Sequence, residues 1–349
     1  MPLGSDAEFG FELRVCAWAE RHWPPGAASR RPVLVGRQLG TDRRRWDTVV
    51  LEVDPVGLAE RATFGSAHLD SDLLHVVRHA PPDWEFYRDA LPEPEYPWRY
   101  VREAVHEAAD RGAVESKKRG GRIEIRRVAP YPDWFDRLVA IENKPDLDAS
   151  AARDLQDQLE RDVASKLADE VWLATEATGD PVEPAFLERI PPEVGILSLD
   201  RDGVEVLWHP RTLAVDRRGT RIVERAEDST YGSAAARFEY LSAAEKRRRR
   251  LVIAERAYER GWRSYRHQMR TDCRHFMLRP ATYGFVPYCR AKEREQTAAE
   301  CSERCHAFEP EPPRWREHGW PLEGGPGQTV TRMLERRRDD ARTRAKDTR

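Results

Sequence analysis

Apolar residues at Phe9, Leu13, Cys16, Ala17 and Ala19 recur at helical spacing and predict a short amphipathic helix over 8–20, ended by the prolines and glycine of HWPPG. The period then shortens. RPVLVGRQLG and RRRWDTVVLEVDP read as two strands around a tight connection, and 48–53 is β-branched and apolar enough to be buried. LDSDLLHVVRHA, DWEFYRDAL and WRYVREAVHEAADRGAVE return to helical spacing. KKRGGRIEIRRV then turns at its glycines before Ile123 and Ile125 alternate.

Further on, the short apolar run from Leu138 to Ile141 leads straight into Glu142, Asn143 and Lys144. Leu155, Leu159, Val163 and Leu167 then draw an apolar stripe along a helix over 149–167, and EVWLAT has the composition of a strand. PPEVGILSLDRDGVEVLWHP reads as a hairpin turning at Asp202-Gly203. Strand, helix and strand are spaced like a crossover unit, which predicts 139–141 and 171–174 parallel or nearly so in one sheet. Residues 216–250, ending in EKRRRR, read as a polar helical linker, and the tail after 335 is charged.

Three helices followed by a basic hairpin is the order of a winged helix-turn-helix, with 98–111 as its third helix, inserted between two strands of the first unit. Lys117, Lys118, Arg119, Arg122, Arg126 and Arg127 lie on or beside that hairpin, where a wing meets phosphates. Winged helices also serve as protein-contact modules. The expected organisation is a core from 1–56 and 131–215, an insertion over 57–130, a linker over 216–255, a cysteine module over 256–325 and a tail over 326–349.

Composition adds bounds rather than a partner. A chain of 349 residues, 40% hydrophobic and 34% charged, supports two or three globular domains with ionic surfaces, and its formal net charge of -2 selects no ligand. Only seven of the 59 basic residues are lysine; arginine suits phosphate forks, and a GC-rich genome produces the same bias. No run approaches the ~18 apolar residues of a membrane span. The acid-bearing start has no basic n-region, so neither a membrane anchor nor a signal peptide is expected, and the expected location is cytoplasmic.

Strand alternation puts Glu142 and Lys144 on one face while Asn143 points away. Asp47 on a neighbouring strand completes a carboxylate pair with Glu142 for a hard cation such as Mg²⁺ or Mn²⁺, which takes oxygen ligands. Glu12 on the first helix and Gln158 on the helix after the strand complete the candidate set. This arrangement resembles the PD-(D/E)XK nuclease superfamily, the restriction-endonuclease-like fold, an α/β architecture with a mixed sheet flanked by helices. RRRWDTVV looks like its first acid motif with Trp46 in the proline position, and IENK matches its Glu-any-Lys motif. LQDQLERD is similar to the glutamine-bearing helix of many members. The resemblance covers 8–56 and 131–215, and the insertion accounts for the 95 positions between Asp47 and Glu142. It implies metal-dependent hydrolysis of nucleic acid, DNA before RNA. Asp133 and Asp136 in YPDWFDR are rivals for the first acid, since Pro132-Asp133 spells the motif literally.

Cys273, Cys289, Cys301 and Cys305 fall in one segment, while Cys16 stands apart. Four thiols in a cytosolic chain predict a metal site rather than disulfides. Zn²⁺ held by four thiolates is the first reading and a 4Fe-4S cluster the second. Nucleases of the resembled superfamily that carry such a cluster usually place one cysteine before the core and three after it; here all four follow, which favours zinc. His275 and His306 each sit beside a cysteine. Two other functions remain open: a non-catalytic nucleic-acid-binding protein on a nuclease-like scaffold, and an assembly protein using the winged helix and cysteine module for protein contacts.

Overall fold

The run 138–141 becomes the middle of a mixed sheet. The computed structural model describes residues 5–309 apart from 28, 42–43, 95, 148, 177–188, 201–202, 226–235, 263–268, 271–272, 282–283, 298–299 and 302–304; Asp202 and the charged tail thus lie outside the described residues. The chain divides into two compact units, one formed by 19–261 and the other by 1–18 with 262–349. The first helix, α1 (Ser5–His22), runs from one into the other, and its predicted apolar residues are buried. The first 18 residues, expected in one core with 19–56 and 131–215, group here with the C-terminal segment.

Within 19–261, β1 (Val33–Thr41) and β2 (Arg44–Val53) pair antiparallel. The chain then leaves the sheet. Asp54 accepts a hydrogen bond from the Gly57 N–H at 2.7 Å and caps α2 (Pro55–Arg61), whose first residue is the proline that position tolerates. Asp70 caps α3 (Ser71–His79) through the Leu73 N–H at 3.0 Å. There follow β3 (Glu85–Phe86), α4 (Tyr87–Ala90), α5 (Trp98–Asp110), β4 (Val114–Arg119) and β5 (Arg122–Arg127), with the strands in the order β3-β5-β4. Gly120 and Gly121, at φ +56° and +82°, provide the left-handed backbone that the tight β4–β5 turn needs. Leu73, Val77, Val101, Val105 and Ile125 give this insertion a core of its own.

The chain returns as β6 (Phe135–Asn143), antiparallel to β2. It crosses over through α6 (Ala149–Ser165) to β7 (Glu170–Glu176), parallel to β6 as the spacing predicts. β8 (Gly195–Leu199) lies parallel to β7, and β9 (Val204–Trp208) closes the edge antiparallel, giving the order β1-β2-β6-β7-β8-β9. Leu155 and Leu159 of α6 join Val49, Leu51, Leu138 and Ala140 in one buried cluster, so α6 covers the face that those strand residues share. Each such leucine contributes about 1.5–3 kcal/mol on burial.

The expected helical linker is not what forms. β10 (Gly219–Arg225) and β11 (Ala236–Leu241) make an antiparallel pair, and the helix α7 (Ala243–Arg260) begins only after them. Two cations of its basic run, Lys246 and Arg250, are buried. Lys246 Nζ donates to the Lys166 carbonyl at 3.2 Å, while Arg250 donates to the Leu167 carbonyl at 2.8 Å and to Asp169 at 2.7 Å. These bonds fasten α7 to the α6–β7 connection. In the other unit, β12 (Phe276–Ala281), β13 (Gly284–Cys289) and β14 (Arg294–Glu295) form a small antiparallel sheet. Among the described residues no helix is long and apolar enough to cross a membrane.

Candidate functional site

Thr48 pairs with Ile141, so the next position on each strand sets Asp47 opposite Glu142. Directly opposed residues share a face, and this is the face that carries Leu138 and Ala140 beneath α6. Asp47 is fixed at the strand end: its Oδ2 accepts from the Asn143 N–H and its Oδ1 from Gln38 Nε2, each at 3.0 Å. Asn143 turns the other way and donates to Thr48 Oγ1 at 3.0 Å. The rivals are settled by distance along the strand. Asp133 and Asp136 are exposed near the start of β6, and the six residues from Asp136 to Glu142 span about 20 Å at the rise of a strand.

α6 adds two groups. Gln158 reaches the site with its Nε2 buried and without a hydrogen bond of good geometry, yet close enough to help hold Glu142 ionised. One turn on, Asp162 is buried and binds Arg44 through both oxygens, at 2.9 Å to Nε and 2.7 Å to Nη2. The same Nη2 donates to Glu142 at 2.7 Å. Arg44 therefore clamps two carboxylates from different elements. Neither Arg44 nor Asp162 was expected from the sequence. The signals were there: Asp162 follows Gln158 by four positions, on the same helix face, and Arg44 opens the strand of Asp47.

Lys144 lies just past the end of β6. Its N–H donates to the Ala174 carbonyl at 2.8 Å, and its Nζ stands 3.7 Å from Asp146. Glu12 is buried on α1 in the other unit and is described there, not as part of this constellation.

Burial pushes the Glu142 carboxyl up to about 7, with the negative charge of Asp47 as the next cause, and burial raises Asp47 and Asp162 as well. Burial alone would lower the Arg44 pKa, but its bonds to Asp162 and the charges of Asp162 and Glu142 raise it. Two half-buried carboxylates facing each other share their last proton. The folded chain therefore binds more protons than the unfolded one between about pH 4.5 and about pH 7, and stability falls as pH rises across that window. In chelator the expected loss is on the order of 3 kcal/mol, flat above pH 7.5. Glu142→Gln removes the Glu142 share of that fall and leaves the part that Asp47 and Asp162 contribute. Melting followed from pH 5 to 8 checks it, and an unchanged profile in the variant contradicts the assignment.

The wing cations divide. Lys117 is paired with Glu124 at 3.3 Å and Arg126 with Glu115 at 2.5 Å, and both stand over the Trp84 ring. Arg122 stands over Phe86 at 5.2 Å. Lys118, Arg119 and Arg127 are exposed, with no ion pair among the described residues.

In the other unit, Cys273, Cys289, Cys301 and Cys305 line one cavity of about 10 Å³, together with Phe276 and Phe308. Burial, and after it the neighbouring thiols, push the Cys301 thiol up. As the side chains stand, no three or more His, Cys, Asp or Glu among the described residues are grouped to hold a metal ion. What the four cysteines share is the cavity. His275 turns instead to Glu309, at 3.0 Å.

The fold and this site define an α/β protein with a central mixed sheet, flanked by helices, that carries a half-buried carboxylate pair at the junction of two antiparallel strands. The chain belongs to DUF5787, a family of unknown function, which it matches over residues 34–310. No curated protein and no solved structure matches it significantly.

Proposed function

We propose that the chain is a metal-dependent nuclease built on a PD-(D/E)XK core, with a winged-helix insertion that holds nucleic acid, DNA in preference to RNA. The observation that carries the reading is the opposition of Asp47 and Glu142 on β2 and β6, one residue from Lys144's strand end, in a meander that continues through a crossover helix to a parallel strand. The donor set fits a hard cation such as Mg²⁺ or Mn²⁺, because two raised carboxylates are the groups such an ion stabilises and its remaining positions go to water. Asp47 and Glu142 would hold the ion. When bound it supplies charge that polarises a phosphodiester and acidifies a water. Lys144 sets its ammonium beside the reacting phosphate and offsets the negative charge that grows there. Gln38 and the Asn143 N–H keep Asp47 aimed.

One observation favours a second reading, a non-catalytic nucleic-acid-binding scaffold: Arg44 already supplies a cation to Glu142 and Asp162. Cleavage of single- and double-stranded DNA and RNA by purified protein with Mg²⁺ or Mn²⁺ separates the two. Turnover that chelator stops supports the nuclease; binding of all substrates without cleavage supports the scaffold.

For the insertion, the order of α3, β3, α4, α5, β4 and β5 with its β3-β5-β4 sheet supports the winged-helix reading. Removing Lys118, Arg119 and Arg127 together weakens binding to all sequences and flattens its salt dependence by about one slope unit per lost phosphate contact. The same titration on Lys117→Ala with Arg126→Ala shows a smaller change, because those two cations are already paired with Glu124 and Glu115. An unchanged slope for the first triple variant assigns the wing to protein contacts.

For the cysteine cavity, four thiols lining one cavity support a metal site, and their position after the sheet strands favours Zn²⁺ over 4Fe-4S. Purified protein is expected to carry one zinc per chain, without visible absorbance. Cys289→Ser lowers the zinc content and destabilises 262–309, with residues 19–261 still folded; proteolysis and metal analysis check this, and a brown, oxygen-sensitive protein contradicts it.

A further inference from the structure

Beside the carboxylate pair, and within 19–261, lies a cavity of about 250 Å³. Arg44, Arg161, Arg221 and Arg249 all line it, and so do Ser165 and Thr220; Asp162 is its only carboxylate among the described residues. Trp46, Leu167 and Leu241 supply apolar wall. The elements that bring these groups together are far apart in sequence: the start of β2, the end of α6, β10 and α7. Gly219 allows the approach, since a Cβ there would stand 2.0 Å from the Ser165 carbonyl oxygen.

The inventory of the lining is one-sided. Arg44 is held by Glu142 and Asp162, Arg221 pairs with Glu239, and Arg249 pairs with Glu245 at 2.5 Å. Four guanidinium groups still face one carboxylate in a partly apolar wall, where charge attracts more strongly than in water. Arg221 Nε is a buried donor without a hydrogen bond of good geometry, while Trp46 Nε1 is directed to Asp162. A buried guanidinium donor, fixed cations and hydroxyls together call for an anionic acceptor, and guanidinium forks match phosphate in shape.

We propose that this cavity is a phosphate subsite for a nucleic-acid strand, seating a phosphate adjacent to the one presented to Asp47 and Glu142. A strand rather than a free nucleotide is indicated by Arg44, which lines the cavity and also bonds Glu142, so one side chain separates the two positions. This placement rests on the nuclease reading; the subsite itself does not.

The test is fluorescence anisotropy of a labelled oligonucleotide in chelator, where no cleavage is needed. Arg221→Ala/Arg249→Ala is expected to bind at least tenfold more weakly than wild type, with lysine at both positions recovering part of the loss. Inorganic phosphate is expected to compete with the strand on wild type and to lose that effect on the alanine variant. Arg249→Ala alone serves if the double variant melts early, and is expected to show a smaller loss of the same kind. Wild-type affinity in folded variants, with phosphate indifferent, overturns the subsite. A nucleoside monophosphate that binds in the cavity while strand affinity ignores both arginines overturns the strand assignment. A pocket that passes in a protein that never cleaves supports the subsite while ending the nuclease reading, and cleavage with unaltered binding in the variants ends the subsite alone.

Discussion

Lys144→Ala is expected to keep the melting temperature and the strand affinity of the wild type and, on the proposed nuclease reading, to turn over on the order of 10²-fold more slowly. The small structural effect follows from where the residue is anchored. Its backbone N–H bonds the Ala174 carbonyl whatever the side chain, and the ammonium's contact with Asp146 is a half-exposed pair at 3.7 Å, of a kind that contributes at most about 1 kcal/mol. On the proposed nuclease reading, the large kinetic effect follows from removing an ammonium that offsets charge at the reacting phosphate. Glu142→Ala is also expected to lose activity, but by a different route: metal affinity falls, and excess Mn²⁺ restores part of the rate. Melting curves beside single-turnover cleavage separate the two. Equal cleavage by Lys144→Ala takes that residue off the catalytic list and leaves IENK a chance match.

Glu255→Leu destabilises the chain by about 3–5 kcal/mol, the largest stability effect expected of any single change here. Arg61 and Glu255 are fully buried, with contacts of 2.5 Å and 2.6 Å, and the same carboxylate accepts from the Tyr131 hydroxyl at 2.5 Å and the Leu69 N–H at 2.7 Å. Removing it strands a guanidinium, a hydroxyl and a backbone donor at once. Arg61 also lies against the Tyr258 ring, 4.3 Å from its centroid. These groups come from α2, from the segment before α3, from the approach to β6 and from α7, so this carboxylate ties the insertion to the sheet. Equilibrium unfolding in urea gives the magnitude. Arg61→Leu combined with Glu255→Leu recovers part of the loss, because the pair is then replaced instead of broken. A cost below about 1 kcal/mol for the single change contradicts the fastening role.

Much of the candidate site was legible because its signals are local. Strand alternation put Glu142 and Lys144 on one face, the apolar stripe through Leu155 and Leu159 set α6 against a sheet, and crossover spacing predicted the parallel β6–β7 pair. Asp47 was legible too, since the buried β-branched and apolar run of its strand follows it at once. The Arg44 clamp was not. It joins Asp162 across 118 positions, and which helical carboxylate meets a strand arginine depends on how the helix is rotated on the sheet, which no short window reports. The β10–β11 pair was missed because its alternation is short and dense with charge, and the burial of Lys246 and Arg250 depends on carbonyls and an aspartate some 80 positions away. The grouping of α1 with the C-terminal segment had no sequence signal either: the approach of Gly10 to the Glu295 side chain joins residues at opposite ends of the chain.

The central claim is that Asp47 and Glu142 together hold the ion that makes the chain a nuclease, and cleavage of one labelled strand with Mn²⁺ by wild type and by Asp47→Asn tests it most directly. The substitution keeps the size of the side chain and its ability to meet Gln38, so folding is retained while one of the two metal-binding charges is lost. The account predicts cleavage by wild type that chelator abolishes, and loss of at least 10²-fold in the variant at equal strand affinity. Cleavage by Asp47→Asn at the wild-type rate, or a folded wild type that binds strands and cuts none of them with either metal, contradicts it.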